Sequence, residues 1–274
     1  MEHVVVIRPK KRLAIDWKEL KEYRELFFYF AWRDVKVRYK QTAIGILWAI
    51  LQPFIQMVVF TLFFNKAVGV ETGSAVPYAI FSYTGLLFWN YFSQALQRSA
   101  NSLVDNQSVV TKVYFPRVIP PISSTIVSLI DFGFASIIFV GLMFYFKFAP
   151  TTLGLLLIIP AIAVTFITAT GPGLFLAAVN VKYRDVKQAL PFIIQTGLFL
   201  TPVIYPVSTI PERFQWLLYL NPMTGVINAV RASFLGDGVI NWDLTSLSVI
   251  MSILMFIGGL YYFKGREKEF ADII

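Results

Sequence analysis

The chain has 274 residues, enough for one or two ordinary domains, yet only 15% are charged while 57% are hydrophobic and 16% aromatic. Soluble domains carry about 25% charged residues, so the composition argues against a soluble globular fold. The formal net charge is nevertheless +8, there is no cysteine, and the single histidine is His3; disulfides, thiolate metal sites and most acid–base chemistry lose their usual residues.

In chain order, residues 13–39 read as an amphipathic helix. Asp16 and Glu19 form a D-x-x-E variant of a capping box, and Leu13, Trp17, Leu20, Phe27, Ala31 and Val35 recur at three- and four-residue spacing against a face of Lys18, Lys21, Glu22, Glu25 and Lys36. Such a helix either lies in a membrane interface or packs beneath a bundle. Six apolar stretches follow, at 44–64, 78–96, 118–146, 153–179, 189–205 and 244–263, the fifth being the shortest. Each approaches the roughly 20 residues that a bilayer-spanning helix needs. The predicted fold is an all-α polytopic membrane protein: an N-terminal segment 1–43, a six-helix transmembrane domain 44–263 and a tail 264–274. No cleaved signal peptide is expected, because the basic run Arg8 to Arg12 leads into charged sequence rather than an apolar core.

Charge sets the orientation. Of the Lys and Arg residues, 20 fall in the N-terminal segment, the loops after the second and fourth spans and the tail, against Lys66, Lys147, Arg213 and Arg231 on the other side. The positive-inside rule then places both termini in the cytoplasm. The basic excess is an orientation signal, and no nucleic-acid-binding module accompanies it.

Two connecting segments are neither span nor simple loop. Residues 99–117 are too polar to cross a membrane, and the run from Ser108 to Pro116 puts apolar residues where a partner would cover them; a connector folded against its own bundle is the alternative. On the outer side, residues 205–243 are broken by Pro206, Pro211, Pro222, Gly225, Gly236 and Gly238. Their apolar pieces are too short to span, which favours two re-entrant or interfacial helices, either closing a pathway or serving as a structural cap.

Enzymatic signatures are lacking: no Walker A loop, zinc-binding H-E-x-x-H or G-x-S-x-G occurs. Gly171-Pro172-Gly173 lies inside a span and reads as a kink or close-packing site. Asp131 is the sole acidic residue within the spans, which is a functional signal by default; one carboxylate by itself is thin support for proton coupling. Aromatic residues are the positive signal. Trp48, Phe54, Phe60, Phe63 and Phe64 in the first span and Tyr83, Phe88, Trp89, Tyr91 and Phe92 in the second include interfacial belts. Trp48, Phe88, Trp89, Tyr91 and Phe92, with Gln52, also suit a path along which sugar rings slide on aromatic faces.

The pieces Gly45-Ile46-Leu47-Trp48-Ala49-Ile50-Leu51-Gln52-Pro53, Gly85-Leu86-Leu87-Phe88-Trp89-Asn90-Tyr91-Phe92, Lys112-Val113-Tyr114-Phe115-Pro116-Arg117, Val181-Lys182-Tyr183-Arg184-Asp185 and Leu220-Asn221-Pro222-Met223-Thr224 occur in this order. Together they resemble the membrane permease subunit of polysaccharide ABC exporters of type 2, which move O-antigen and teichoic acid glycans. The resemblance implies a homodimer in the bacterial inner membrane that exports a lipid-linked polysaccharide through a channel at the permease dimer interface. Each copy would pair with a cytoplasmic ATPase subunit that carries ATP and Mg, leaving no cofactor and no enzyme activity on this chain. It implies a coupling element with Asp105, Asn106, Val109, Val110, Lys112 and Tyr114, and a cytoplasmic entrance with Tyr39, Tyr183, Arg184 and Asp185. The outer gate would comprise Pro211, Phe214, Trp216, Asn221 and Pro222. Export of teichoic acid, lipid or drug is the alternative within the class; a proton-coupled transporter would show more midplane ionisable groups or a repeat.

Overall fold

The computed structural model describes residues 21–40, 45–70, 72, 76–236 and 239–270; the capping box at Asp16 and Glu19 lies outside them. All regular elements among the described residues are helical. In order they are α1 (Arg24–Lys40), α2 (Leu47–Phe60, prolonged by a π-helical turn Thr61–Ala67), α3 (Tyr78–Asp105), α4 (Gln107–Val110), α5 (Ile119–Tyr145), α6 (Thr152–Lys182), α7 (Val186–Leu200), α8 (Glu212–Tyr219), α9 (Pro222–Val230, prolonged by a π-helical turn Arg231–Leu235) and α10 (Trp242–Arg266).

Each of the six apolar stretches coincides with a helix, but they are not equivalent. Four, namely α2 with its extension, α5, α6 and α10, are long and apolar enough to cross a membrane. α3, with 28 residues, is long enough but polar, because it carries serines, Asn90, Gln94, Arg98 and Asn101. It tolerates them as the central helix, flanked by α5, α6 and α2 and buried for most of its length. α7 is a 15-residue apolar helix that stops at Leu200, five residues short of the expected end; the chain through Tyr205 is irregular.

Small residues set how closely the helices approach. A Cβ added at Gly259 of α10 would overlap the Gly171 carbonyl of α6, and one at Gly171 would lie 2.6 Å from Phe256. A Cβ at Gly173 would lie 2.5 Å from Ser99 of α3. The Gly-Pro-Gly sequence is therefore a close-packing site that seats α6 against a helix on each side. Thr168 and Ser252 add a 2.7 Å hydroxyl contact between α6 and α10.

The bundle has two chemically distinct ends. The basic end gathers α1, α4, the C-terminal ends of α3, α6 and α10 and the N-terminal ends of α5 and α7, around a cluster of Phe30, Leu103, Val110, Phe115, Leu174 and Phe263. α1 is seated there by Phe30, with Phe27 partly covered. Lys21, Glu22, Glu25 and Lys36 are exposed as expected. Phe28 and Trp32, whose rings stack with centroids 6.3 Å apart, are exposed as well, so α1 offers aromatic surface away from the bundle. The far end is closed by α8, α9 and the irregular stretch after α7.

Candidate functional site

At the basic end, α4 is a single short turn between two buried anchors. Val110 is fully buried in the Phe30 cluster, and Phe115 is 2% exposed, packed on Phe30 with ring centroids 5.7 Å apart. Asn106 is also buried, its Nδ2 donating to the Ser102 carbonyl at 2.7 Å. Asn106 and Val110 thus face their own bundle rather than the surface, while Val109 is partly covered. The apolar side of the turn is consumed by its own bundle, because a one-turn helix cannot hold a position without burying a face. The surface left for a partner is Lys112, Val113 and Tyr114, the last 73% exposed, with Asp105 beside them. Asp105 pairs with Lys187 at 3.2 Å, bringing the segment that carries Tyr183, Arg184 and Asp185 alongside. Those three are exposed, and the Lys182 ammonium lies 5.3 Å from the Tyr183 ring centre. The Arg117 amide donates to Glu267 Oε1 at 2.9 Å, tying the loop to the turn after α10; burial holds the Arg117 guanidinium below its ordinary value, opposed by Glu267.

Tyr39 does not join that segment. Its hydroxyl donates to Asp131 Oδ1, and its ring sits edge-on to Phe134 with centroids 6.1 Å apart. Burial, and then the neighbouring carboxylate, push the Tyr39 hydroxyl above its ordinary value, so it stays a donor. Asp131, 3% exposed, accepts ion pairs from Arg38 of α1 and Arg98 of α3, each at 2.6 Å to Oδ2. Gln94 Oε1 accepts from the same two guanidinium groups at 3.4 and 3.3 Å. The sequence singled out Asp131 without its partners. A lone carboxylate in a span requires cationic compensation, and Arg38 and Arg98 at helix ends were the available signal.

The aromatic residues divide. Trp48 and Gln52 of α2 are exposed. Phe88, Trp89 and Tyr91 are 1%, 5% and 2% exposed, packed within the protomer with Phe88 and Tyr91 both against Phe132. They are core residues in this conformation, because α3 is surrounded by other helices. Phe92 is half-buried, its ring centroid 5.3 Å from that of Trp89.

At the far end, Pro211, Phe214 and Trp216 are exposed on and before α8, whereas Pro222 and nearly all of α9 are buried. Asn221 caps α9, accepting from the Met223 amide at 3.0 Å and donating to Thr201 Oγ1 at 2.7 Å. Arg231, read from the sequence as an outer-loop residue, is 2% exposed. It donates to the carbonyl of Pro202 at 2.7 Å, to that of Val203, and to that of Phe81 at 3.0 and 3.2 Å, with its guanidinium carbon 3.6 Å from the Phe81 ring centre. The Tyr78 hydroxyl donates to the next carbonyl, Ile204, at 2.7 Å. The carbonyls of Pro202, Val203 and Ile204 in the irregular stretch after α7 are thus satisfied internally. Gly85 provides the space: a Cβ there would press on Arg231 and Val203.

Among the described residues no group of acidic or histidine side chains is arranged to hold a metal ion. Residues 25–235 match the family model described as ABC-2 type transporter. The chain is 29% identical over 261 residues to the O-antigen export system permease protein RfbA of Myxococcus xanthus, covering 94% of this chain and 98% of the relative. It is 28% identical over 243 residues to the protein of that name from Klebsiella pneumoniae, covering 88% and 92%. The polysialic acid transport protein KpsM of Escherichia coli is 23% identical over 248 residues, covering 86% and 91%. The chain therefore belongs to the ABC-2 type transporter family, as a non-enzymatic transmembrane permease subunit whose ATPase is a separate chain.

Proposed function

We propose that the chain exports a lipid-linked, O-antigen-like polysaccharide across the bacterial inner membrane, as a dimer of six-span permeases driven by a dimer of cytoplasmic ATPase subunits. The similarity over 86% or more of the chain to permeases named for O-antigen and polysialic acid carries the reading. In this arrangement the basic end and both termini face the cytoplasm, in keeping with the Lys and Arg distribution. α2, α3, α5, α6, α7 and α10 are the six spans, with α7 completed by the carbonyl-caged stretch 201–205. The exposed Lys112, Val113 and Tyr114 seat in the ATPase, with Asp105 and Lys187 at the rim. Tyr183, Arg184 and Asp185 flank the cytoplasmic entrance, and α8 and α9 form the outer gate.

The glycan path runs between the two copies along the exposed face of α2, where Trp48 and Gln52 offer an aromatic surface and a hydrogen-bonding group. Phe88, Trp89 and Tyr91 belong to the core of the protomer, and Asn90 of the same helix donates to Gln56 of α2 at 3.0 Å. Such a path favours sliding over tight binding, because aromatic faces accept successive sugar rings alike.

The test is co-reconstitution of the permease and its ATPase in vesicles with a fluorescent lipid-linked glycan, scoring ATP-dependent passage of the label. Tyr114→Glu is expected to abolish copurification of the ATPase while the permease keeps its thermal midpoint. A Tyr114→Glu complex that assembles and exports normally overturns the coupling assignment; a wild-type complex that hydrolyses ATP without moving the glycan overturns the substrate assignment.

A further inference from the structure

The Asp131 cluster joins α1 to α3, two helices that pack on α5 but share no extensive packing with each other among the described residues. The backbone of α1 runs along α5; between α1 and α3 lies a cleft of about 410 Å³ whose lining includes Arg33, Asp34, Val37, Arg38, Arg98 and Ser102. Across it, Arg38 from α1 and Arg98 from α3 meet on the same Asp131 oxygen of α5, and Gln94 accepts from both. Tyr39, adjacent to Arg38, takes the other oxygen. With Asp131 at 3% exposure, moving either α1 or α3 away from α5 separates opposite charges in a poorly screened setting.

α3 carries Arg98 and, two turns further on, Asp105 at the start of the exposed loop. At 1.5 Å per residue that is about 10 Å along one continuous helix. A displacement delivered to the loop reaches Arg98 without crossing a hinge, and from Arg98 the path to α1 is a chain of charge-assisted bonds. We infer that Asp131 is a positioning residue of export: it couples α3, which bears the ATPase-docking loop, to the N-terminal helix α1 through Arg98 and Arg38. The inference rests on the export reading above, because the coupling it describes acts between ATP hydrolysis and movement of cargo.

The decisive quantity is glycan exported per ATP hydrolysed by the reconstituted permease–ATPase complex. Asp131→Asn is expected to leave assembly intact and ATP hydrolysis within about twofold, while export per ATP falls about tenfold or more, the usual range of a coupling effect. Asp131→Glu, which keeps the charge, is expected to recover most of it. Export per ATP at the wild-type value in Asp131→Asn overturns the inference. Should Asp131→Asn fail to assemble, Arg38→Gln, at the one-third-exposed end of the pair, replaces it with the same two readings.

A second readout needs no cargo. The chain has no cysteine, so Lys36→Cys on the exposed side of α1 carries a nitroxide at a unique position. The permease by itself is expected to show a more mobile spectrum when Asp131→Asn is added, and an unchanged spectrum overturns the joint. If wild-type complex fails to export, the functional reading falls while this spectrum still decides whether the joint exists.

Discussion

Asp131 and Arg231 are both ionisable side chains buried in the helical bundle, one toward the basic end and one toward the far end, and they are satisfied by unlike means. Asp131 is surrounded by the side chains of Arg38, Arg98 and Tyr39, from two helices other than its own. Arg231 is held by main-chain carbonyls of Phe81, Pro202 and Val203 and by the face of the Phe81 ring. A cluster of side chains can re-form around new torsions, whereas a carbonyl cage is fixed by the path of the backbone and loosens only if α3 or the stretch after α7 moves as a body. Under the proposed function, this difference assigns the basic end the part of mobile joint and the far end that of rigid frame.

The largest effect that can break this comparison comes from Arg231→Met. It leaves carbonyls of Phe81, Pro202 and Val203 buried without their donor, and each buried acceptor left unsatisfied costs about 1–3 kcal/mol. Folded protein recovered in detergent and its thermal midpoint should both drop sharply, with Arg231→Lys intermediate because an ammonium cannot span the same carbonyls as a fork. A midpoint like that of the wild type would mean the cage is not part of the frame.

Tyr39→Phe is expected to be milder. It deletes one hydrogen bond to a carboxylate, a contact worth about 1.5–3 kcal/mol, but leaves both guanidinium groups on Asp131. Thermal unfolding should show a smaller loss than Arg231→Met, and a loss equal to it would remove the distinction between mobile joint and rigid frame. The smallest change is Asn221→Ala, which removes the α9 cap and the bond to Thr201 for about 1 kcal/mol. Its effect should be local, seen as faster amide hydrogen exchange at the start of α9 with the basic end unchanged; faster exchange spreading to α1 would contradict the independence of the two ends.

Much of this was legible in the chain. The apolar stretches located six helices because a membrane-length segment has to be apolar along most of its extent. The Gly-Pro-Gly sequence pointed to close packing because only glycine lets backbones touch. Val110 shows where such reading stops: an apolar residue in a polar segment signals burial but not against what, and here its own bundle takes it. Arg231 marks a related limit: counting its charge toward the outer side says nothing of its burial, which a cage of carbonyls from distant parts of the chain makes tolerable.

The sequence by itself determined that this is a helical membrane protein without an ATP-binding loop, along with its likeness to polysaccharide exporters, because these follow from composition, charge distribution and order of local motifs. Only the tertiary structure decided which aromatic residues are core and which are surface, which side of the 105–114 segment remains available, and what neutralises Asp131 and Arg231. Those outcomes depend on contacts between residues 28 to 150 positions apart, and no local pattern encodes which distant groups the packing of helices brings together.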